Sequence, residues 1–205
     1  MKIVLATRNK NKIRELEELL ATHLKKIEVL SLDDIGFVGE IEETGNSFEQ
    51  NAMIKARAAA ALSGMISVAD DSGLTVNALG GAPGIYSARY SGVEGPDRDR
   101  ANNEKLLREL QGVSSREAAF VCCIACAFPD SMPARDFAVY GYTVGEILCA
   151  PRGDNGFGYD PLFWYDELGK TFAEMTPQEK NSLSHRAKAA VKLAERFANM
   201  IIIEG

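Results

Sequence analysis

Histidine is scarce in this chain: there are two in 205 residues, His23 and His185. A Ser-His-Asp or Cys-His nucleophilic centre turns on a histidine, so covalent hydrolysis has little to build on. The four cysteines, at 122, 123, 126 and 149, have no histidine beside them and do not form the paired spacings of a zinc site. No apolar stretch reaches the about 18 residues that a membrane-spanning helix requires. The opening Met1 to Ala6 is too short for the apolar core of a signal peptide and runs into the charged stretch Arg8 to Lys12. Positive charge is not in excess either: 23 Lys and Arg stand against 29 Asp and Glu, a net charge of −6, so no broad field attracts duplex nucleic acid. A Gly-Lys-Ser/Thr phosphate loop, internal repeats and low-complexity tracts are all missing. These absences point to a cytoplasmic protein, with no membrane or nucleic-acid partner, that meets any anionic ligand locally.

What is present is apolar material for one substantial core, 46% of residues, and the length fits a single domain over 1–205. Lys2 to Ala6 reads as a buried strand, and from Asn11 the positions Ile13, Leu16, Leu19, Leu20 and Leu24 keep helical spacing. Ile27 to Leu30 reads as a strand, followed by an irregular acidic stretch from Asp33 to Glu43. Ser47 and Gln50 have capping-box spacing at the head of an alanine-rich helix that Gly64 closes. A strand, Ile66 to Ala69, then leads to Asp70 and Asp71, with a turn expected at Ser72-Gly73. Gly80 to Gly84 carries too many backbone breakers for a regular element. A helix is predicted over about 97–110, then two strand-like runs, Glu117 to Phe128 and Asp136 to Leu148, joined through Pro129 to Pro133 as a hairpin. Thr176-Pro177-Gln178-Glu179 predicts a capped helix start, and a last helix begins near Ser184. The run Ala119 to Phe128, with Cys122, Cys123 and Cys126, reads as buried core with reduced thiols. Strands alternating with helices early and a hairpin late predict an α/β protein with a mixed, twisted sheet.

Four clusters carry chemistry. Asp70 and Asp71, at the expected end of a strand, form either a divalent-metal edge or a hydrated acidic turn. Glu40, Glu42 and Glu43 lie in the acidic loop before the second helix, either solvated or lending a carboxylate to the same metal. Thr7-Arg8-Asn9-Lys10-Asn11-Lys12 joins a buried strand to a helix N-terminus, where backbone N–H groups, the helix dipole and Lys12 favour an anion; an ordinary capped helix with solvated lysines fits the same residues. In Gly153 to Pro161 the glycines admit a flat ligand, on which Phe157 or Tyr159 could stack, although such loops also serve as tight turns. Lys180, Ser182, Ser184, His185 and Arg186 read as exposed polar and basic side chains at a helix junction, suited to phosphate or to the carbonyl oxygens of a base.

Taken in order, LATRNKNKIRELEELL (5 to 20), EETGNSFEQNAMIKA (42 to 56), ADDSGL (69 to 74), LGGAPGIYSARYSG (79 to 92), GFGYDPLF (156 to 163) and EMTPQEKNSLSHRAKA (174 to 189) resemble the inosine/xanthosine triphosphate pyrophosphatase family along nearly the whole chain. The resemblance implies an α/β fold with an elongated mixed twisted β-sheet flanked by helices, two lobes around a central active-site cleft, and a homodimer. It implies Mg²⁺-dependent hydrolysis of ITP, dITP and XTP to the monophosphate and pyrophosphate. Residue by residue, it implies that Thr7, Arg8, Asn9, Lys10, Asn11 and Lys12 hold the triphosphate and that Glu42, or its neighbour Glu43, and Asp71 hold Mg²⁺. Asp71 would also be the proton acceptor; the mechanism drawn here adds Asp70 as its support and Lys12 to offset charge on the departing pyrophosphate. Ser72, Phe157, Gly158, Tyr159, Asp160, Lys180, His185 and Arg186 would contact the nucleotide. A pyrophosphatase for modified pyrimidine nucleotides and a non-catalytic nucleotide sensor are the competing readings; the first would differ at 156 to 160 and 185 to 186, and the second would lack a carboxylate.

Overall fold

The computed structural model describes residues 2–23 and 27–203. Leu24, the last position of the first helical pattern, lies outside them. Among the described residues seven strands form one open sheet: β1 (Lys2–Leu5), β2 (Glu28–Ser31), β3 (Ser67–Val76), β4 (Glu117–Ala127), β5 (Phe137–Ile147), β6 (Phe163–Tyr165) and β7 (Lys170–Thr171), in the order β2-β1-β3-β4-β5-β6-β7. β1 runs parallel to β2 and β3, whereas β6 runs antiparallel to β5 and β7, so the sheet is mixed as expected. Among the described residues the five α-helices are α1 (Lys10–His23), α2 (Phe48–Ser63), α3 (Arg98–Glu109), α4 (Pro177–Leu183) and α5 (His185–Ile203). Among the described residues no helix is long and apolar enough to cross a membrane.

The chain forms two compact units, one of residues 1–71, 122–141 and 185–205, the other of 72–121 and 142–184. The first has a core on each side of its strands, and the period of two along β4 sorts residues between them. Cys122, Ile124 and Cys126 join Leu16, Leu19 and Leu20 of α1 and Ala189, Leu193 and Phe197 of α5. Cys123, Ala125 and Ala127 join Ala52, Ala56, Ala59 and Ala60 of α2. The second unit is built around Phe120, Phe163 and Phe172, whose rings lie 4.6 to 5.5 Å apart.

The strongest local signals form as read. Ser47 accepts from the Gln50 amide at the head of α2, and Gly64, at φ 65°, closes that helix with its N–H on Ala60. Gln50 returns its side-chain oxygen to the Asn46 amide (2.7 Å) rather than to Ser47. Thr176 and Glu179 form a complete capping box with Pro177 in the first turn of α4. Three expectations fail. β3 does not stop at Ala69 but runs through Asp70, Asp71, Ser72 and Gly73 to Val76. Gly73 is there for close approach, not for a turn: a Cβ would stand 2.4 Å from the Ser87 hydroxyl and 2.5 Å from the Gly84 carbonyl. Gly84 opens a 3₁₀ helix to Arg89 rather than ending a loop. The short strands β6 and β7 carry no alternation long enough to read in the sequence.

Candidate active site

Because β3 continues, the two adjacent carboxylates are not side by side at a sheet edge; a strand sends consecutive side chains to opposite faces. Asp70 takes the face of α1 and α5. It is fully buried, with Lys12 of α1 on Oδ1, and with the Arg186 Nε of α5 (3.2 Å) and the Cys122 thiol of β4 (2.9 Å) both on Oδ2. Arg186 also binds Glu15 of α1, so a chain of alternating charge links Lys12, Asp70, Arg186 and Glu15. Burial would push the Asp70 carboxyl up, yet Lys12 and Arg186 hold it well below the usual carboxylate range.

Asp71 takes the other face, that of α2. Lys55 Nζ sits 3.6 Å from its Oδ1, 2.5 Å from Glu43 and 3.0 Å from the Asp70 carbonyl oxygen. Asp71 Oδ2 is buried with no hydrogen-bond partner among the described residues. Burial pushes this carboxyl up, and Lys55 and Lys12 only partly offset it. The dipeptide therefore holds two differently poised acids: one fixed as a carboxylate, the other poised to take a proton. The sequence reading missed Lys55. Its signal was present, since Lys55 is three residues after Ala52 and four before Ala59, on the buried stripe of the helix.

The turn before α1 folds onto itself. Asn9 Oδ1 accepts from the Asn11 and Lys12 amides (3.0 and 3.3 Å), and Thr7 Oγ1 accepts from the Asn9 amide (3.2 Å). The amides offered to an anion are thus held by side chains that a phosphate would have to displace. Lys10 is exposed on the first helical turn. Arg8 reaches the irregular acidic stretch, donating to the Gly39 and Phe37 carbonyls, the latter at 2.8 Å. Asn51 ties down the loop that carries Glu42 and Glu43: it is fully buried, and its Oδ1 accepts from the Gly45 amide at 2.9 Å.

Lys180, His185 and Arg186 were expected to be exposed; all three are buried, between 1% and 6% exposed. Each is compensated or packed in place. Lys180 Nζ lies 2.7 Å from Asp160 and 4.8 Å from the centre of the Phe157 ring. The first turn of α5, with His185 and Arg186, rests on β5 because Gly141 has no side chain; a Cβ there would stand 2.0 Å from the His185 carbonyl oxygen. Tyr159 is corrected as a stacking residue: its ring is core, and its hydroxyl donates to the Ser87 carbonyl at 2.9 Å. Asp160 serves its own loop, accepting from the Phe157 amide at 2.8 Å. Gly158 is clasped by α3, its N–H on Asp99 and its carbonyl on Asn103, both at 2.8 Å. Ser72, half-buried, follows Asp71 in β3. Within the first unit the structure gathers Lys12, Asp70 and Arg186 on one face and Asp71 on the other; within the second it gathers Phe157, Asp160 and Lys180.

Among the described residues no three His, Cys, Asp or Glu side chains form a metal-holding group. A hard cation such as Mg²⁺ does not need three, because it keeps waters and takes oxygens from a substrate's phosphates. The orphaned Asp71 Oδ2 and one carboxylate of the Glu42-Glu43 pair fit that requirement. Glu43 is held by Lys55, and Glu42 is exposed.

An α/β fold of this topology has counterparts. The chain matches the Ham1 family model over residues 3–196 and belongs to that family. It is similar to the dITP/XTP pyrophosphatase of Syntrophobacter fumaroxidans, 50% identical over 97% of this chain and 83% of that protein. The dITP/XTP pyrophosphatase of Mannheimia succiniciproducens is 48% identical over 96% of this chain and 98% of its own length. A HAM1 protein from Coxiella burnetii superposes with a TM-score of 0.87 at 42% identity, over 97% of this chain and 99% of that one.

Proposed function

We propose that this chain hydrolyses the non-standard purine nucleoside triphosphates ITP, dITP and XTP to the monophosphate and pyrophosphate, removing them from the nucleotide pool. The observation that carries the reading is the division of labour at Asp70 and Asp71, one carboxylate locked between cations and the other buried, raised and with an oxygen to spare. Asp71 orients the attacking water and takes its proton as the water meets the α-phosphorus. Lys12 lies in the first turn of α1, beside the residues proposed to cradle the triphosphate, and offsets charge on the departing pyrophosphate. Asp70 keeps the Lys12 ammonium on station. Glu42 and Asp71 would hold Mg²⁺, which when bound neutralises phosphate charge and makes a bound water more acidic. Selection of a base with a carbonyl at purine position 6 would rest on a buried donor such as His185, which adenine's amino group would leave without an acceptor.

On this reading the enzyme works in the cytoplasm as a homodimer, for which the family resemblance is the support; a monomer in sedimentation velocity would remove the second part. The deciding assay incubates the protein and Mg²⁺ with ITP, XTP, dITP, GTP, ATP and pyrimidine triphosphates and separates pyrophosphate from orthophosphate. Pyrophosphate from ITP, dITP and XTP is expected. Orthophosphate as the product, or equal catalytic efficiency on ATP and ITP, would overturn the proposal.

A further inference from the structure

β4 lies beside β3 in the sheet, and the alternation that sends Cys122 to the α1 and α5 face brings its thiol to the carboxylate of Asp70. Sγ stands 2.9 Å from Oδ2, and both side chains are fully buried. Cys126, on the same face of the same strand, packs only as a small apolar residue of the core. The thiol is thus placed to do something its neighbour does not. Asp70 Oδ2 faces two donors from different elements, the Cys122 S–H and the Arg186 Nε, while Oδ1 faces Lys12. Two cations alone would let the carboxylate swing toward either one. A third, neutral donor fixed to the rigid centre of the sheet defines the carboxylate plane without adding charge.

We propose that Cys122 is a positioning residue: its thiol proton holds Asp70 in the one orientation that keeps Lys12 and Arg186 both seated. The inference rests on the reading above only for its kinetic consequence, since the hydrogen bond exists whatever the substrate. Burial pushes the thiol up, with the Asp70 charge adding to that, so it remains a protonated donor rather than a nucleophile. A valine at 122 would fill core space but leave Oδ2 one donor short, and an alanine would lose the sulfur's volume as well. A serine would restore an O–H donor in nearly the same place.

Three variants and one spectrum test this. Cys122→Ala should lower kcat on ITP about tenfold, the worth of one hydrogen bond to a charged group, with KM changed less than threefold. Cys122→Ser should return kcat to within about threefold of the parent, a recovery that a purely packing role would not give. Cys126→Ala, a matched truncation on the same face, should lower thermal stability without lowering kcat. Independently of any substrate, the infrared S–H stretch that disappears in Cys122→Ser should lie at lower frequency than an unbonded thiol. A Cys122 band at the unbonded frequency, or a folded Cys122→Ala enzyme with full kcat, would overturn the proposal. If Cys122→Ala does not fold, the band position and the serine variant still decide. If the parent protein leaves ITP and XTP intact, the function assigned above fails, while the band still reports on the hydrogen bond.

Discussion

On the proposed function, Asp71 and Lys55 set the chemistry at the scale of single residues. Asp71→Asn removes the proposed proton acceptor but little volume, so turnover should fall by roughly 10² to 10⁴, the usual range for a general base. Nucleotide binding by equilibrium titration should persist. Near-normal turnover would take Asp71 out of the mechanism. Lys55→Met removes an ammonium that opposes the upward push of burial on Asp71, so that carboxyl should rise further. The acid limb of the pH profile of kcat/KM should then move to higher pH, and an unmoved limb would show that Asp71 is not the group titrating. At this scale the sequence was informative about which residue types gather but not about where they point. Asp70 and Asp71 were visible as a pair. Their separation was not, because Asp is a common turn residue and the cations that make it affordable mid-strand come from α1, α2 and α5, far away in the chain. Arg186 was misjudged as exposed for the same reason: a buried guanidinium is tolerated only beside carboxylates that the linear sequence does not place next to it.

Elements were legible where local chemistry decides them. Ser47, Gly64, Thr176 and Glu179 mark helix ends through hydrogen bonds that span only a few residues, and those boundaries hold. The junction of β7 with α4 adds a pH-dependent contact. The Glu179 carboxylate accepts from Lys170 Nζ (2.6 Å) and from the Thr176 amide (2.8 Å), which together hold it at about 2 against an ordinary 4.5. A depressed carboxyl contributes stability above its unfolded value and loses it as the pH falls through its folded value. The α4 cap should therefore weaken between about pH 4.5 and pH 2, and Glu179→Gln should flatten that part of the acid unfolding curve. An identical acid limb in the variant would count against this role. β6 and β7 escaped the sequence reading because two or three residues cannot display a period. Their pairing comes from the aromatic core of the second unit.

For the whole molecule, stability is linked to any ligand that binds the folded chain alone. On the proposed function, nucleotide with Mg²⁺ binds the folded chain alone and should raise the melting temperature. At a hundredfold excess over Kd the gain is about 2.7 kcal/mol, readable by calorimetry with the Asp71→Asn variant, which should bind while consuming substrate far more slowly. No shift with ITP, or an equal shift with ATP, would contradict base selection at the binding step. One consequence of β3 reaches beyond this protein's own chemistry. The two acids owe their different fates to an odd-even count along the strand, so inserting or deleting one residue between Ser67 and Ala69 would exchange them. Asp71 would face the α1 side, and Asp70 would face Lys55. Substitutions in that short stretch can be gradual, but changes in its length cannot. Lineages of this fold should therefore tolerate insertions and deletions in the loops around β3 while keeping the strand's length fixed.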